Sequence, residues 1–395
     1  MLNLDCKKLI KFHKDILELL EPAKLVGGCV RDYLLKKTIS YDVDISTKLL
    51  PDEVFNIFKK KYKNCYISDR NKLYGTINII IGKFNYDITT TRSDIQCFGR
   101  QAKVQFCKDF LLDSHRRDFT FNALYAGIDG KILDFHNGIN DLNNHVVRFI
   151  GDAEKRIKED YLRIVRYFRF LAKLNFKIDK KNDKYIDVIV KNKDGLKNIS
   201  HERIRNEIFK IDKVSIFYVL KLFKKCDLIE DIFLLKNSIK TINNEQDIAL
   251  SFNKKKIKSD NTFYIIYFIC FFFKFSKDLE ILKKSLCFSK KECIFLDFII
   301  EFWHLTNSGR ELTFDAKMEI FYLFKKNKFD INNAIDFIKN VYFSFSCGED
   351  VLKFVKKCNK FMIKAQNIEH LKKLYSGKAL GDKIKQFEQE FISKI

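Results

Sequence analysis

"LVGGCVRDYLLKKTISYDVDIST", residues 25–47, decides the fold. It opens on an apolar strand that ends at Gly27-Gly28. "CVRDYLL" (29–35) then has helical spacing, and "YDVDIST" (41–47) alternates polar and apolar residues as a strand does. Glycines between strand and helix let backbone N–H groups approach an anion, and the helix N-terminus adds partial positive charge. Arg31 lies about one turn into that helix, with Asp32 beside it, where a guanidinium holds a phosphate through two hydrogen bonds. Asp42 and Asp44, at i and i+2 of a strand, project to one face. Adjacent carboxylates repel unless a cation sits between them. An exposed strand face with Val43 and Ile45 turned inward would read the same way. The metal reading is Mg²⁺, which takes one or two carboxylates and completes its shell with phosphate oxygens and water.

The flanking sequence extends this α/β pattern. "PDEVFNIFKKKY" (51–62) starts a helix with Pro and two acids in its first turn. "TINIIIG" and "FNYDITTT" are strands separated by a hairpin-like "GK", and the second carries Asp87 as a candidate third catalytic carboxylate or a plain surface Asp. "TRSDIQCFGRQAK" (91–103) reads as a mobile loop, and "AGIDGKILDF" (126–135) as a hairpin with Asp-Gly at its turn. In "RRDFTFNAL" (116–124), Arg116, Arg117, Asp118 and Asn122 flank the apolar Phe119-Thr120-Phe121. Arginine clamps phosphate, while Asp and Asn hydrogen-bond ribose hydroxyls; a helix-cap ion pair would give the same pattern.

Strand signals fade from about residue 141, and helical patterns run on between lysine-rich joints such as "NKDGLKNIS" (192–200) and "NKKKIKSD" (253–260). The architecture expected is α+β: a catalytic head over 1–140, a helical neck over 141–215, and a helical body and tail over 216–395. The chain has 395 residues, with Lys+Arg 74 against Asp+Glu 51 and a net charge of +23, which points to a polyanionic partner. Drift toward Lys, Asn, Ile and Phe would also raise the charge without selection for binding. The most apolar run, "FYIIYFICFFF" (263–273), is shorter than the roughly 20 residues a membrane span needs and reads as a buried helix. The first twenty residues lack a signal-peptide layout, and eleven cysteines contain no CxxC pair. Free thiols and a cytoplasmic location are the expectation.

"LVGGCVRDYLL…YDVDIST", "YDITTTRSD…GRQAKVQF", "RRDFTFNAL", "LDFHNGINDL" and "FIGDAEKRIKEDYLRIVRYFRFLAKLNF" together resemble the class II tRNA nucleotidyltransferases. These are the CCA-adding enzymes, whose sister branch is the bacterial poly(A) polymerases. The resemblance runs over residues 23–176 and continues in "ISHERIRNEIFKI" (199–211); beyond about 220 only helicity and basicity match. It implies a polymerase-β-like head followed by helical neck, body and tail. It also implies addition of C, C and A to tRNA 3′ ends from CTP and ATP. By position it assigns Asp42 and Asp44 to metal, and Gly28 and Arg31 to the triphosphate; Gly27 joins them from the reading of the turn. Arg116 or Arg117, with Asp118, is assigned to ribose and phosphates. Two departures are Gln101, where the family usually has His, and Thr91, where Leu is common. A poly(A) polymerase, a partial CC- or A-adding enzyme, and a non-catalytic RNA-binding protein on the same fold are the alternatives.

"EDYLRIVRYFRF" (159–170) then acquires a meaning. Residues three apart on a helix lie about 60° from one another, so Asp160, Arg163 and Arg166 share one arc. Arg169 falls on a second arc with Arg163 and Arg166 and faces away from Asp160. An ionised Asp only accepts hydrogen bonds and Arg only donates. Cytosine and adenine each present a donor beside an acceptor, whereas uracil and guanine present the reverse order. An Asp–Arg pair therefore fits C and A. The resemblance gives this templating role to the family's EDxxR motif, matched here by Glu159, Asp160 and Arg163; Arg166 and Arg169 are then expected to face the triphosphate.

Overall fold

The computed structural model describes residues 5–36, 38–98, 101–176, 180–212, 215–235, 269, 279–306, 317–322, 353–354, 356–357 and 377–394. Two compact units are present: Met1–Ile211 with Lys221–Ile232, and Asp212–Leu220 with Phe233–Ile395.

In the first unit, helices α1 (Lys7–Lys11) and α2 (Lys14–Leu19) precede strand β1 (Ala23–Val26), helix α3 (Gly28–Lys36) and strand β2 (Asp42–Thr47). Helix α4 (Pro51–Lys61) leads to β3 (Tyr66–Ser68), β4 (Thr76–Ile81) and β5 (Phe84–Thr90). A separate hairpin of β6 (Arg92–Phe98) and β7 (Gln101–Phe106) comes next, then α5 (Phe110–His115), β8 (Leu124–Ala126) and β9 (Ile132–Asp134). The main sheet has seven strands in the order β3-β4-β5-β2-β1-β8-β9. β2 pairs parallel to β5, and every other neighbouring pair is antiparallel. The crossover from β2 to β5 runs through α4, which Pro51 opens and Glu53 caps by accepting from the Leu50 amide at 2.7 Å.

Period-two alternation sorts the sheet's faces. Val43, Ile45, Ile77, Ile79, Tyr86 and Ile88 are buried on the core face. Asp42, Asp44, Asn78, Asn85 and Asp87 occupy the alternate positions and so share the other face. The expected loop over 91–103 is instead the paired hairpin β6–β7, with a bulge between Asp94 and Gln96. Its many polar side chains concealed a ladder that backbone groups pair.

Past Asp134 the described residues contain no strand beyond one isolated bridge, Phe119 with Phe149. Helices α6 (Gly138–Asn143), α7 (Ala153–Glu159), α8 (Leu162–Lys173), α9 (Lys180–Asp183), α10 (Ile186–Lys191) and α11 (His201–Ile208) follow, with a 3₁₀ turn over Lys193–Asn198. α8 is enclosed on nearly every side: of its twelve residues only Arg166 and Lys173 are not buried. A run of rings, Phe119, Phe121, Phe149, Tyr167 and Phe170, joins α8 to the head with centroids 4.9–6.4 Å apart. The lysines of "NKDGLKNIS" are partly committed: Lys193 pairs with Asp227, and Lys197 with Asp194 and Asp231.

In the second unit, helices Leu279–Ser285 and Lys290–Thr306 are tied by a Lys283–Asp297 ion pair at 2.7 Å. Ser289 and Glu292 form a reciprocal cap at the start of the longer helix. A 17-residue helix, Gly377–Ser393, lies near the end of the chain. No helix among the described residues is long and apolar enough to cross a membrane. The runs at 253–260 and, but for Ile269, at 263–273 lie outside the described residues.

Candidate active site

The turn from β1 into α3 forms one wall of a cleft of about 930 Å³ that lies wholly within the first unit. Gly27 has φ +75°, in the left-handed region, and a Cβ there would meet Asp44 Oδ2 at 3.2 Å. Only glycine lets the chain turn that close to the carboxylate. Arg31, one turn into α3, is buried, pairs with Asp32 at 2.8 Å and donates to Asn122 Oδ1.

Asp42 and Asp44 both line the cleft and stand on the same face of β2. Asp42 is exposed and accepts from Asn85 Nδ2 at 3.2 Å. Asp44 is open to solvent through the cleft mouth but walled by protein elsewhere, and its side chain has no hydrogen bond or ion pair among the described residues. Burial pushes its carboxyl above the usual range; Arg117 and Arg31 oppose the shift, while Asp87 and Asp42 add to it. Asp87 stands directly opposite Asp44 in the parallel register, accepts from Asn78 at 2.8 Å, and is not part of the cleft lining.

Hard oxygen donors that repel one another, with no ion pair to either among the described residues, suit a Mg²⁺-like cation. Among the described residues no group of three His, Cys, Asp or Glu side chains could hold a metal alone. Two carboxylates with the rest of the shell from a phosphate-bearing substrate fit that donor set.

The "RRDFTFNAL" cluster braces the site from behind. Asp113, fully buried and not singled out by the sequence, takes Arg116 at 2.8 Å, Arg117 at 3.3 Å and the Tyr125 hydroxyl at 2.7 Å. Burial would raise its carboxyl, yet Arg116 and Arg117 bring it down to about 2. Asp118 receives the Asn122 amide at 3.0 Å and both Nε and Nη2 of Arg166. It is held well below the usual carboxylate range against the opposing effect of burial. Asn122 thus bridges Arg31 of α3 to Asp118, and Asp118 bridges on to α8.

The helix in "EDYLRIVRYFRF" is not continuous. α7 ends at Glu159, Asp160 is extended (φ −155°, ψ 103°), and α8 starts at Leu162. Asp160 Oδ1 accepts from the Leu162 amide at 3.2 Å, and Tyr161 lies over Gly195, where a Cβ would sit 2.0 Å from its ring. The arcs expected from one continuous helix therefore do not apply to Asp160. Arg163 pairs with Glu159 at 2.9 Å rather than with Asp160, and Asp160 pairs with Arg203 of α11 at 2.8 Å. Asp160, Arg163, Arg166 and Arg169 nonetheless all line the one cleft. Arg169, placed on the opposite side of the helix from Asp160 by sequence geometry, faces the same space, because the break redirects Asp160.

Several contributors were not singled out by sequence reading: Lys173, Arg203, Asn206, Glu207 and Lys210 line the cleft, and Arg156 donates to the backbone carbonyls of Arg116 and Arg117. The i, i+4 spacing of Arg203 and Glu207 in "HERIRNEI" was the available signal for α11. Glu207, nearly fully buried, gathers Arg169 at 2.8 Å, Lys210 at 3.2 Å and Arg166 at 3.4 Å.

Lysines and arginines lining the cleft outnumber acids nine to six, so the wall is short of negative charge. Burial, then the nearby Arg31, press Lys173 below the ordinary lysine range. Burial also lowers Arg169, with Arg166 adding to it and Glu207 opposing. Phe170 lies under Arg169 at 4.1 Å, Arg31 at 5.0 Å and Arg166 at 5.7 Å. An electropositive slot facing two unpaired carboxylates is equipped to take a metal-bound polyphosphate.

Residues 23–148 match the family described as the poly A polymerase head domain. The chain is 40% identical over 188 residues to CCA tRNA nucleotidyltransferase 1, mitochondrial, of Homo sapiens, covering 48% of this chain and 43% of that protein. It is 41% identical over 191 residues to the CCA-adding enzyme of Lactobacillus helveticus, covering 48% and 45%. The chain thus spans less than half the length of these two relatives. The crystal structure of the Bacillus stearothermophilus CCA-adding enzyme in complex with CTP superposes with a TM-score of 0.70 at 20% identity, covering 97% of this chain and 93% of that one. At that identity the likeness establishes the fold.

Proposed function

We propose that this protein is a CCA-adding tRNA nucleotidyltransferase, transferring C, C and A in turn from CTP and ATP to a tRNA 3′ end with release of pyrophosphate. One observation carries the reading: the Asp42–Asp44 strand and the Asp160–Arg163–Arg166–Arg169 segment open into a single cleft. The metal carboxylate pair serves the transfer, and the base-reading edge serves nucleotide choice without a nucleic-acid template.

Asp42 and Asp44 are the residues that would hold Mg²⁺, which supplies Lewis-acid activation of the attacking hydroxyl and steadies the leaving group. Gly27, Gly28 and Arg31 receive the triphosphate at the N-terminus of α3, together with Arg166 and Arg169. Arg116, Arg117, Asp118 and Asn122 support the ribose side of the cleft, with Asp32 holding Arg31. Asp87 acts by keeping negative charge beside Asp44. Asp160 accepts from the exocyclic amine of C or A, and Arg163 donates to the adjacent ring nitrogen. U and G leave both groups facing like partners, a mismatch of about 1–3 kcal/mol each.

The lysine-rich C-terminal part is assigned to the tRNA acceptor and elbow, read through phosphates and shape. A cytoplasmic location is proposed on the free thiols among the described residues, and cell fractionation tests it. The activity is tested with three tRNAs ending before CCA, after C and after CC, each given one labelled nucleotide at a time. Ordered C, C and a single A is the expected result. Growth beyond one A indicates a poly(A) polymerase, arrest at CC a partial enzyme, and no incorporation an RNA-binding protein.

A further inference from the structure

Arg203 stands on α11, 43 residues beyond the carboxylate it touches. Its Nη2 donates to Asp160 Oδ2 at 2.8 Å, while the other oxygen, Oδ1, receives the Leu162 amide at 3.2 Å. Both side chains are shielded, 15% and 18% exposed, and both line the cleft. Asp160 itself has left the helix, so neither α7 nor α8 dictates where its carboxylate points. An extended residue at a joint owes its orientation to the groups that grip its side chain. A carboxylate has about four acceptor positions, and two are filled here, one on each oxygen. The remaining ones are therefore directed, in a fixed plane, by Arg203 on one side and the Leu162 amide on the other.

Arg163 is set by a parallel device. Its Nη1 donates to the Arg156 carbonyl and to Glu159 at 2.9 Å, which leaves its other N–H groups for the cleft. Asp160 and Arg163 are thus each anchored by a separate outer partner and make no ion pair with one another.

We propose that Arg203 is a positioning residue for base selection: it holds the Asp160 carboxylate in the orientation that accepts C and A. This rests on the reading of the cleft as a nucleotide-selecting site. Arg203 acts on base choice through its grip on Asp160. Its loss frees the carboxylate to rotate about χ1 and χ2, so the acceptor no longer meets the exocyclic amine at a fixed place.

The test uses the full-length protein and its Arg203→Gln and Arg203→Lys variants, folding being checked by circular dichroism and thermal melting. Single-turnover incorporation of CTP and UTP on a tRNA lacking CCA gives a discrimination ratio. Equilibrium binding of the two nucleotides gives a second ratio that needs no catalysis. Gln should lower both ratios about tenfold, the worth of one mismatched polar group. Lys, a point charge without the planar fork, should fall between Gln and wild type. A purely structural role would lower CTP and UTP together and leave the ratios unmoved. An unchanged ratio in either folded variant overturns the proposal; if Gln does not fold, the Lys ratio alone decides. A wild-type protein that does not prefer CTP to UTP refutes the nucleotide-selecting reading itself, before any variant is compared.

Discussion

Asp44 and Asp113, both in the field of Arg117, show two opposite uses of a carboxylate. Asp113 is compensated: arginines and a tyrosine hydroxyl hold it to about 2, so its ionised form stabilises the fold. That contribution is complete above the ordinary value of 3.8 and is lost as pH falls toward about 2, a swing of about 2 kcal/mol. Asp113→Asn should therefore lower the urea midpoint at pH 7, with the gap to wild type closing as the solution is acidified through that window. A gap that persists at pH 2 contradicts the assignment. Asp44 has the reverse sign. Its carboxyl is raised by burial, so ionisation costs stability, and the cost accrues as pH climbs past the ordinary carboxylate range. Asp44→Asn should melt no lower than wild type at pH 7 while losing at least about 100-fold in nucleotide incorporation and in Mg²⁺ affinity by calorimetry. A clear drop in melting temperature would identify Asp44 as a structural acid. The paired acids of "YDVDIST" are plain in the sequence; the difference between Asp44 and Asp113 is not, because it depends on which arginines reach each one.

At the scale of elements, the joint between α7 and α8 matters most. Periodicity across "EDYLRIVRYFRF" is that of one helix, and local propensity offers no stop signal such as Gly or Pro. The break comes from partners distant in sequence: Gly195 beneath Tyr161, and Arg203 on Asp160. Asp160→Ala should relax the choice of C over U by about tenfold while Mg²⁺ binding stays at the wild-type level; intact discrimination would remove Asp160 from base reading. Gly195→Ala should destabilise by about 1–3 kcal/mol, the usual penalty for overpacking, since its Cβ would enter the Tyr161 ring. A melting temperature equal to wild type would mean that Tyr161 is free to leave. The β6–β7 hairpin carries the complementary lesson: polar side chains hid strands whose pairing rests on main-chain bonds.

On the proposed function, the +23 charge of the whole molecule divides between two jobs. Inside the cleft, arginines are individually committed to Asp118, Glu207 and Asp113 and form a preset anion slot. Many lysines elsewhere, among them Lys59, Lys60 and Lys61 at the end of α4, are exposed and carry diffuse charge. tRNA affinity should then fall steeply with salt, by about 10³-fold between 50 and 200 mM if six or more phosphates are contacted, in filter-binding titrations. CTP affinity, assigned by the proposed function to the buried slot, should change far less. Equal salt slopes for both would show that the two populations of charge are not separate.

The α+β order, the glycine turn, the carboxylate strand and the identity of the arginines were determined by the sequence alone, since each follows from spacing along a few consecutive residues. Tertiary structure decided the rest: the helix break that turns Asp160 into the cleft, the seating of Arg116 and Arg117 on Asp113, and the recruitment of α11 through Arg203 and Glu207. These depend on contacts between segments tens of residues apart. A hydrophobic pattern specifies which face is buried, but not which charged group on another element will meet it there.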